Sequence, residues 1–107
     1  MKPILFRLMN GDNWAFITIA KTDKSQAFLI MIHSIYGSWS FIWSQPGENF
    51  IKFIEKVDVD YTFIKFSNTL RIGGSQRLQN IERERYHCFY KIFWPLLIKE
   101  LKENIYE

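Results

Sequence analysis

The segment at residues 36–43, with the sequence YGSWSFIW, limits the possible folds more than any other part of the chain. Gly37 indicates a tight corner, after which Trp39, Phe41 and Trp43 alternate with smaller side chains. Alternate residues of a strand share a face, so the three large aromatic rings point the same way. In a chain of 107 residues, such a face must be covered by helices or by a partner. We predict that it is core, and that Trp43→Ala unfolds the protein.

Three other segments have the composition and alternation of strands, and turn signals separate them. The four predicted strands cover residues 4–9, 14–21, 27–36 and 38–44. The third of these is the most apolar, which predicts a central place in the sheet. Asn10 and Gly11 mark one turn, and polar residues 22–25 mark the next. Such short connections favour an antiparallel β-meander, because parallel strands need long crossovers.

After Pro46 and Gly47 the apolar residues follow a helical period. The first predicted helix has an apolar stripe at Phe50, Phe53, Ile54 and Val57. Asp58 and Asp60 are expected to cap a second helix that runs through Asn68. In this second helix, either Phe63 and Phe66 or Tyr61 and Ile64 turn inward. Residues 69–76 are expected to form a loop.

A third helix is predicted from Arg77 onward. Its expected buried stripe is Leu78, Ile81, Cys88, Ile92 and Leu96. Pro95 lies inside this pattern, so a kink or break is expected near residues 93–94. Strands followed by helices predict an α+β fold: a four-stranded antiparallel β-meander with two or three α-helices packed on one face. The whole chain, residues 1–107, is expected to form a single domain.

The cysteine content and the N-terminal sequence indicate a protein of the cytoplasm. The single cysteine excludes an internal disulfide framework and fits a reducing environment. The N-terminal residues do not resemble a secretory signal, and no apolar run reaches the roughly 20 residues that span a bilayer. We therefore expect a cytoplasmic protein without membrane association.

Candidate catalytic and metal-binding residues each have a simpler structural interpretation. His33 in an apolar strand is expected to be a hydrogen-bonded structural residue. His87 and Cys88 are neighbours on a helix and point about 100° apart, so they make a poor catalytic couple, and Cys88 is expected to be buried. One cysteine and two histidines fall short of a structural zinc site. The sequence therefore predicts no catalytic residue, no metal and no cofactor.

Two surfaces are candidates for partner binding. Arg71, Arg77, Arg83 and Arg85 form a loose basic cluster, which Glu82 and Glu84 interrupt. The last helix is apolar on too many sides for one buried face, through Phe89, Tyr90, Phe93, Trp94, Leu97, Ile98 and Leu101. Part of it could be a partner interface or a dimer seam. Alternatively, a break at Pro95 lets each half bury a different face, and the sequence leaves both interpretations open.

Residues 33–67 resemble a family of small phage- and prophage-encoded proteins. Its members carry a YGxWSYxW pattern, a glycine, an FxxFL helix and a DxDYxxxKL segment. The matching residues outside 36–43 are Pro46, Gly47, Phe50, Phe53, Ile54, Asp58, Asp60, Tyr61, Lys65, Phe66 and Ser67. Phe41 and Phe66 stand where tyrosine and leucine are commoner. The resemblance implies a phage origin.

By analogy, small phage accessory proteins often bind and block a host machine. We therefore expect a non-enzymatic protein that binds a host macromolecule, such as a defence effector complex, and inhibits it sterically in the manner of an anti-CRISPR protein. The predicted partner-binding residues are Tyr90, Trp94, Arg71, Arg77 and Arg83. A small nucleic-acid-binding module is the alternative, and a homodimer is also left open. An enzyme would need a pocket in which His33 or His87 meets a carboxylate.

Overall fold

A computed structural model describes residues 3–21, 27–43, 50–70 and 76–104. The strands are β1 (Ile4–Asn10), β2 (Asn13–Lys21), β3 (Phe28–Ser34) and β4 (Gly37–Trp43). They form one antiparallel sheet in the order β1-β2-β3-β4, so the apolar β3 is internal, as predicted. The helices are α1 (Phe50–Lys56), α2 (Val59–Leu70) and α3 (Gln76–Asn104). The predicted α+β fold is confirmed.

Glycine has a specific steric role in both described turns of the sheet. Gly11 joins β1 to β2 with a φ of 64°, a conformation that favours glycine. Gly37 begins β4 with a φ of 148°, and a Cβ there would lie 3.0 Å from the ring of Trp39. Ser34 closes the same turn, because its hydroxyl donates to the Gly37 carbonyl at 2.8 Å. The corner predicted at Gly37 therefore also seats the Trp39 ring.

The helices cover one face of the sheet and bury its aromatic residues. Trp39 contacts Tyr86 and Phe89 of α3 with ring centroids 5.0 and 5.6 Å apart. Trp43 packs against Phe53 of α1 at 5.5 Å. The prediction that the Trp39 and Trp43 face is core is confirmed, because both side chains are buried. The side chain of Phe41 lies outside the described residues.

Helices α1 and α2 follow the sequence prediction closely. Phe53, Ile54 and Val57 are buried as the predicted stripe of α1, while the side chain of Phe50 is not among those described. Asp58 caps α2, since its Oδ1 accepts a hydrogen bond from the Tyr61 amide at 2.8 Å. Asp60 instead lies in the first turn of α2, and it contacts α3.

The inward face of α2 and the end of the helix are now defined. Phe63 is buried, whereas Tyr61 and Ile64 are exposed, so the alternative that turns Phe63 inward is correct. Phe66, its predicted partner, has a side chain outside the described residues. The predicted loop at 69–76 was too long at both ends, because α2 continues through Leu70 and α3 begins at Gln76. Residues 71–75 lie outside the described residues.

Helix α3 corrects two predictions. It continues from Gln76 to Asn104 through Pro95, so the predicted break is absent, while a kink near residues 93–94 stays a prediction. Pro95 is exposed, which leaves water free to satisfy the Lys91 carbonyl that loses its helical partner. The predicted buried stripe was also wrong: Ile81 and Cys88 are exposed, Ile92 and Leu96 are only half-buried, and the Leu78 side chain is not described.

The stripe that α3 actually buries consists of larger side chains. It comprises Tyr86, Phe89, Phe93, Trp94, Leu97 and Leu101. Burying large aromatic side chains removes more apolar area from water, so α3 packs on the core with this face and not with the stripe through Cys88. The last helix is therefore mainly core along its aromatic face.

Candidate binding surface

The second face of the sheet carries the most prominent exposed apolar surface in the described structure. We call it the open sheet face and define it by alternate strand residues that point away from the core: Leu5, Arg7 and Met9 of β1, Trp14, Phe16 and Thr18 of β2, Leu29, Met31 and His33 of β3, and Ser38, Ser40 and Ile42 of β4. Its large apolar side chains include Leu5, Met9, Phe16, Met31 and Ile42, which are 40% to 62% exposed. Solvated sheet faces normally carry polar residues, so this composition requires an explanation.

Strand register arranges these side chains in rows across the sheet. One row consists of Arg7, Phe16, His33 and Ser38. The next row consists of Leu5, Thr18, Met31 and Ser40. Large side chains therefore dominate β2 and β3, whereas β4 contributes two small serines.

This difference in size creates a groove of about 350 Å³. Its outward-facing lining residues are Phe16, Thr18, Met31, His33, Ser38 and Ser40. His33 is fixed in position, because its Nδ1 lies 2.8 Å from the Ser38 hydroxyl and its ring lies 5.2 Å from that of Trp14. The prediction that His33 is hydrogen-bonded is confirmed, and the residue also forms one wall of the groove.

The open sheet face has an unbalanced charge. Arg7 is exposed, and no ion pair involving it occurs among the described residues. None of the strand residues that define this face carries a carboxylate. A molecule that covers the face must therefore either leave Arg7 in water or supply an anion.

Tyr90 and Trp94, both predicted to bind a partner, fasten α3 to α1 and to the turn that follows it. Trp94 is only 2% exposed, and its Nε1 donates to the Ile54 carbonyl at 2.9 Å. The half-buried Tyr90 donates its hydroxyl to the Val57 carbonyl at 2.7 Å and stacks on Trp94 at 5.0 Å. Burial raises the pKa of Tyr90, and the nearby negative charge of Asp58 raises it further by a smaller amount. Trp94 thus offers almost no surface in this structure, and partner binding by Tyr90 stays a prediction.

The predicted basic residues do not meet at one described surface feature. Arg71 lies outside the described residues, and Arg77 is exposed in the first turn of α3. Arg83 contacts Asp60 of α2 at 3.5 Å, and its Cζ lies 4.9 Å from the centre of the Phe63 ring. Arg83 therefore helps to hold α2 against α3. Its role in partner binding, like that of Arg77, stays a prediction.

A histidine does meet a carboxylate on the helical side. His87 Nε2 lies 3.2 Å from Asp60 Oδ1, the same oxygen that Arg83 contacts. The three side chains are largely exposed, so the arrangement has the form of a surface tie between two helices. No group of three or more His, Cys, Asp or Glu side chains that could hold a metal occurs among the residues with described positions.

The open sheet face was not predicted from the sequence. Residues 28–32 form a continuous apolar run, which predicted a central strand but not which of its side chains are exposed. The signal that could have revealed the face was its cross-strand partners: Met31 pairs with Thr18 and Ser40, and both of these are polar.

Together, these features define a small α+β protein whose sheet has one helix-covered face and one open apolar face. The model of the phage family Phage_phiTE_072 matches residues 5–88, most of the chain. The chain therefore belongs to this phage family, as the resemblance at residues 33–67 implied at the coarser level of phage origin. No curated protein and no solved structure matches it. Within the described ranges, none of the helices is long and apolar enough to cross a membrane.

Proposed function

We propose that this phage protein is a non-enzymatic accessory protein that binds a host macromolecule through the open sheet face. The observation that carries the proposal is the set of exposed apolar residues on that face, above all Met9, Met31 and Ile42. Exposed apolar side chains that share one face commonly mark an interaction site, and their burial releases about 25 cal/mol per Å².

The rigidity of the surface supports the same proposal. Its residues lie on paired strands, and the opposite face of each strand is anchored in the core by buried neighbours such as Ile30 and Ile32. A binding surface on paired strands is already ordered before binding, so little conformational entropy is lost when a partner arrives. Such a surface suits steric inhibition, in which the protein occupies a region that the target needs for another contact.

Membership of a phage family supports a role during infection. We propose that the target is a host defence complex in the cytoplasm and that the protein acts as an anti-CRISPR-like inhibitor. This step rests on analogy with other small phage accessory proteins. Arg77, Arg83 and Tyr90 would contribute only if the interface extends from the sheet to α3.

A nucleic-acid-binding module remains the second candidate, and one observation favours it. The rings of Trp14, Phe16 and His33 are clustered, with centroid distances of 5.5 and 5.2 Å from Trp14, beside the cation of Arg7. Exposed aromatic rings next to a cation can stack nucleobases. This candidate predicts an affinity that falls steeply with salt, whereas a protein target predicts a weaker dependence.

Site-specific photo-crosslinking in a bacterial host lysate tests the proposal. In one variant a photoreactive residue replaces Met31 on the open sheet face. In the control variant it replaces Ile64 on α2, because the two side chains are almost equally exposed, at 49% and 50%. A third variant carries it at Tyr90. We expect a discrete protein adduct from position 31 that survives nuclease treatment and that reforms with the purified partner, and no adduct from position 64.

Other outcomes are equally informative. An adduct from position 90 alone would move the interface to α3 and contradict the role of the sheet. Adducts that disappear after nuclease treatment would favour the nucleic-acid module.

A further inference from the structure

We infer that the open sheet face takes a protein segment that offers an apolar anchor side chain and a carboxylate. The anchor enters the groove above Ser38 and Ser40, and the carboxylate pairs with Arg7. This inference rests on the proposed function and specifies the chemistry of the partner.

The requirement for an apolar anchor side chain follows from the shape of the groove. Met31 and Phe16 form apolar walls, and the small serines of β4 leave the space between those walls and the sheet edge empty. A pocket that can surround one large side chain is the usual setting of a binding hot spot. Ile42, in the row beyond Ser40 and Met31, extends the apolar surface along β4 and would help to exclude water from the anchor.

The requirement for a carboxylate on the partner follows from charge complementarity with Arg7. Arg7 lies directly across from Phe16, a residue that lines the groove. If a partner covered this row with apolar atoms alone, the Arg7 cation would lose water without gaining an anion, which is strongly unfavourable. A carboxylate on the partner removes this penalty through a charge-assisted hydrogen bond.

The distance between the groove and Arg7 determines how far apart the anchor and the carboxylate must lie along the partner segment. The anchor site above Ser38 and Ser40 lies on β4, three strand spacings from Arg7 on β1, and each spacing is about 4.8 Å. The anchor and the carboxylate must therefore be about 14 Å apart, and an extended chain that advances about 3.3 Å per residue covers this in about four residues. Two side chains four residues apart also lie on the same face of an extended chain, so both can face the sheet. One short segment of a partner can carry both groups.

Two other occupants fit the surface less well. A second copy of the chain, with a net charge of +3, would bring another Arg7 and no carboxylate from its own open sheet face. Single-stranded nucleic acid would need several cations for its phosphates, while this face provides Arg7 alone as a permanent cation. Trp14, Phe16 and His33 offer rings for stacking, but Leu5, Met9 and Ile42 extend the surface with side chains that have none.

Selection from a library of random linear peptides on the immobilised protein tests the inference. The wild-type protein should enrich peptides with an apolar residue about four positions from Asp or Glu, as the spacing above requires. Arg7→Glu should reverse the preference toward Lys or Arg. Lys99→Glu, which makes the same charge change at an exposed site on α3, should enrich the wild-type peptides.

Binding of one selected peptide, followed by fluorescence anisotropy, gives the quantitative result. Arg7→Glu and Ser40→Trp should each weaken binding about tenfold or more, while Lys99→Glu should not change it. Circular dichroism melting of each variant checks that the fold is retained.

Several results would overturn the inference. They are selected peptides without an acidic preference, peptides that still bind after Ser40→Trp, dimerisation through this face in sedimentation, and preferential binding of a short single-stranded DNA. If position 31 nevertheless crosslinks to a host protein, the proposed function stands and only the partner chemistry is wrong. If position 31 gives no crosslink while the peptides behave as expected, the proposed function fails instead.

Discussion

At the scale of single residues, position along a strand decides whether a large side chain supports the fold or is presented to solvent. Trp43 is buried against Phe28 and Phe53, and its neighbour Ile42 is 55% exposed. Successive side chains of a strand point to opposite faces, so adjacent substitutions test different properties.

Trp43→Ala is expected to unfold the protein or to lower its melting temperature sharply. Removing a buried tryptophan costs about 3–5 kcal/mol, which is comparable to the whole stability of a small domain. Thermal melting by circular dichroism measures the effect. Trp43→Phe serves as the control, because it retains an aromatic ring in the same site and should lose less. An alanine variant with an unchanged melting temperature would show that Trp43 is not core.

Tyr86→Phe is expected to lower the free energy of unfolding by about 1 kcal/mol. The buried Tyr86 hydroxyl donates to Thr62 Oγ1 at 2.7 Å and links α3 to α2. Burial raises the pKa of Tyr86, so this hydroxyl keeps its proton and remains a donor. Urea unfolding of Tyr86→Phe, Thr62→Val and the double variant measures the coupling. Strictly additive effects would mean that the hydrogen bond contributes nothing.

At the scale of elements, α3 shows how packing can override a local signal. The helix continues through Pro95 because residues on both sides of the proline, Trp94 and Leu97, are buried in the core, and Trp94 donates to Ile54 of α1. Lys102 of α3 also pairs with Glu55 of α1 beyond the proline. These tertiary contacts offset the free-energy cost of a proline inside a helix. The sequence pattern does not show such contacts.

Pro95→Ala is therefore expected to stabilise the protein by about 2 kcal/mol, because it restores a helical hydrogen bond and removes a clash. Urea unfolding midpoints measure this change, with Lys99→Ala as an exposed control on the same helix. A loss of stability in Pro95→Ala would mean that the local distortion at the proline is needed for packing.

At the scale of the whole molecule, the two faces of one sheet differ in burial. Ile30 is fully buried, and Met31 beside it is 49% exposed on the open sheet face. We expect Ile30→Ala to cost about 2–5 kcal/mol, and Met31→Ala to change stability by less than about 0.5 kcal/mol.

Partner binding should show the opposite order at these two positions. Met31→Ala should weaken binding of the partner identified by crosslinking, with the fold intact. Chemical denaturation together with a binding titration on the same samples separates the two effects. A large stability loss in Met31→Ala would indicate that this face is part of the fold, contrary to the proposed function.

The sequence by itself determined the features that depend on neighbouring residues. The corner at Gly37, the order of strands and helices, the Asp58 cap and the aromatic inner face of β4 are all local patterns, and each was predicted correctly. Strand alternation, turn geometry and capping involve only a few adjacent residues, so a single chain is enough to recognise them.

Only the tertiary structure decided which of several apolar surfaces became core. It buried Trp94 against α1, exposed Cys88 and left Met31 on the open sheet face. A run of apolar residues is equally compatible with burial or exposure until the elements that cover it are known, because burial depends on partners distant in sequence. The helices cover one face of the sheet and leave the apolar side chains of the other face exposed.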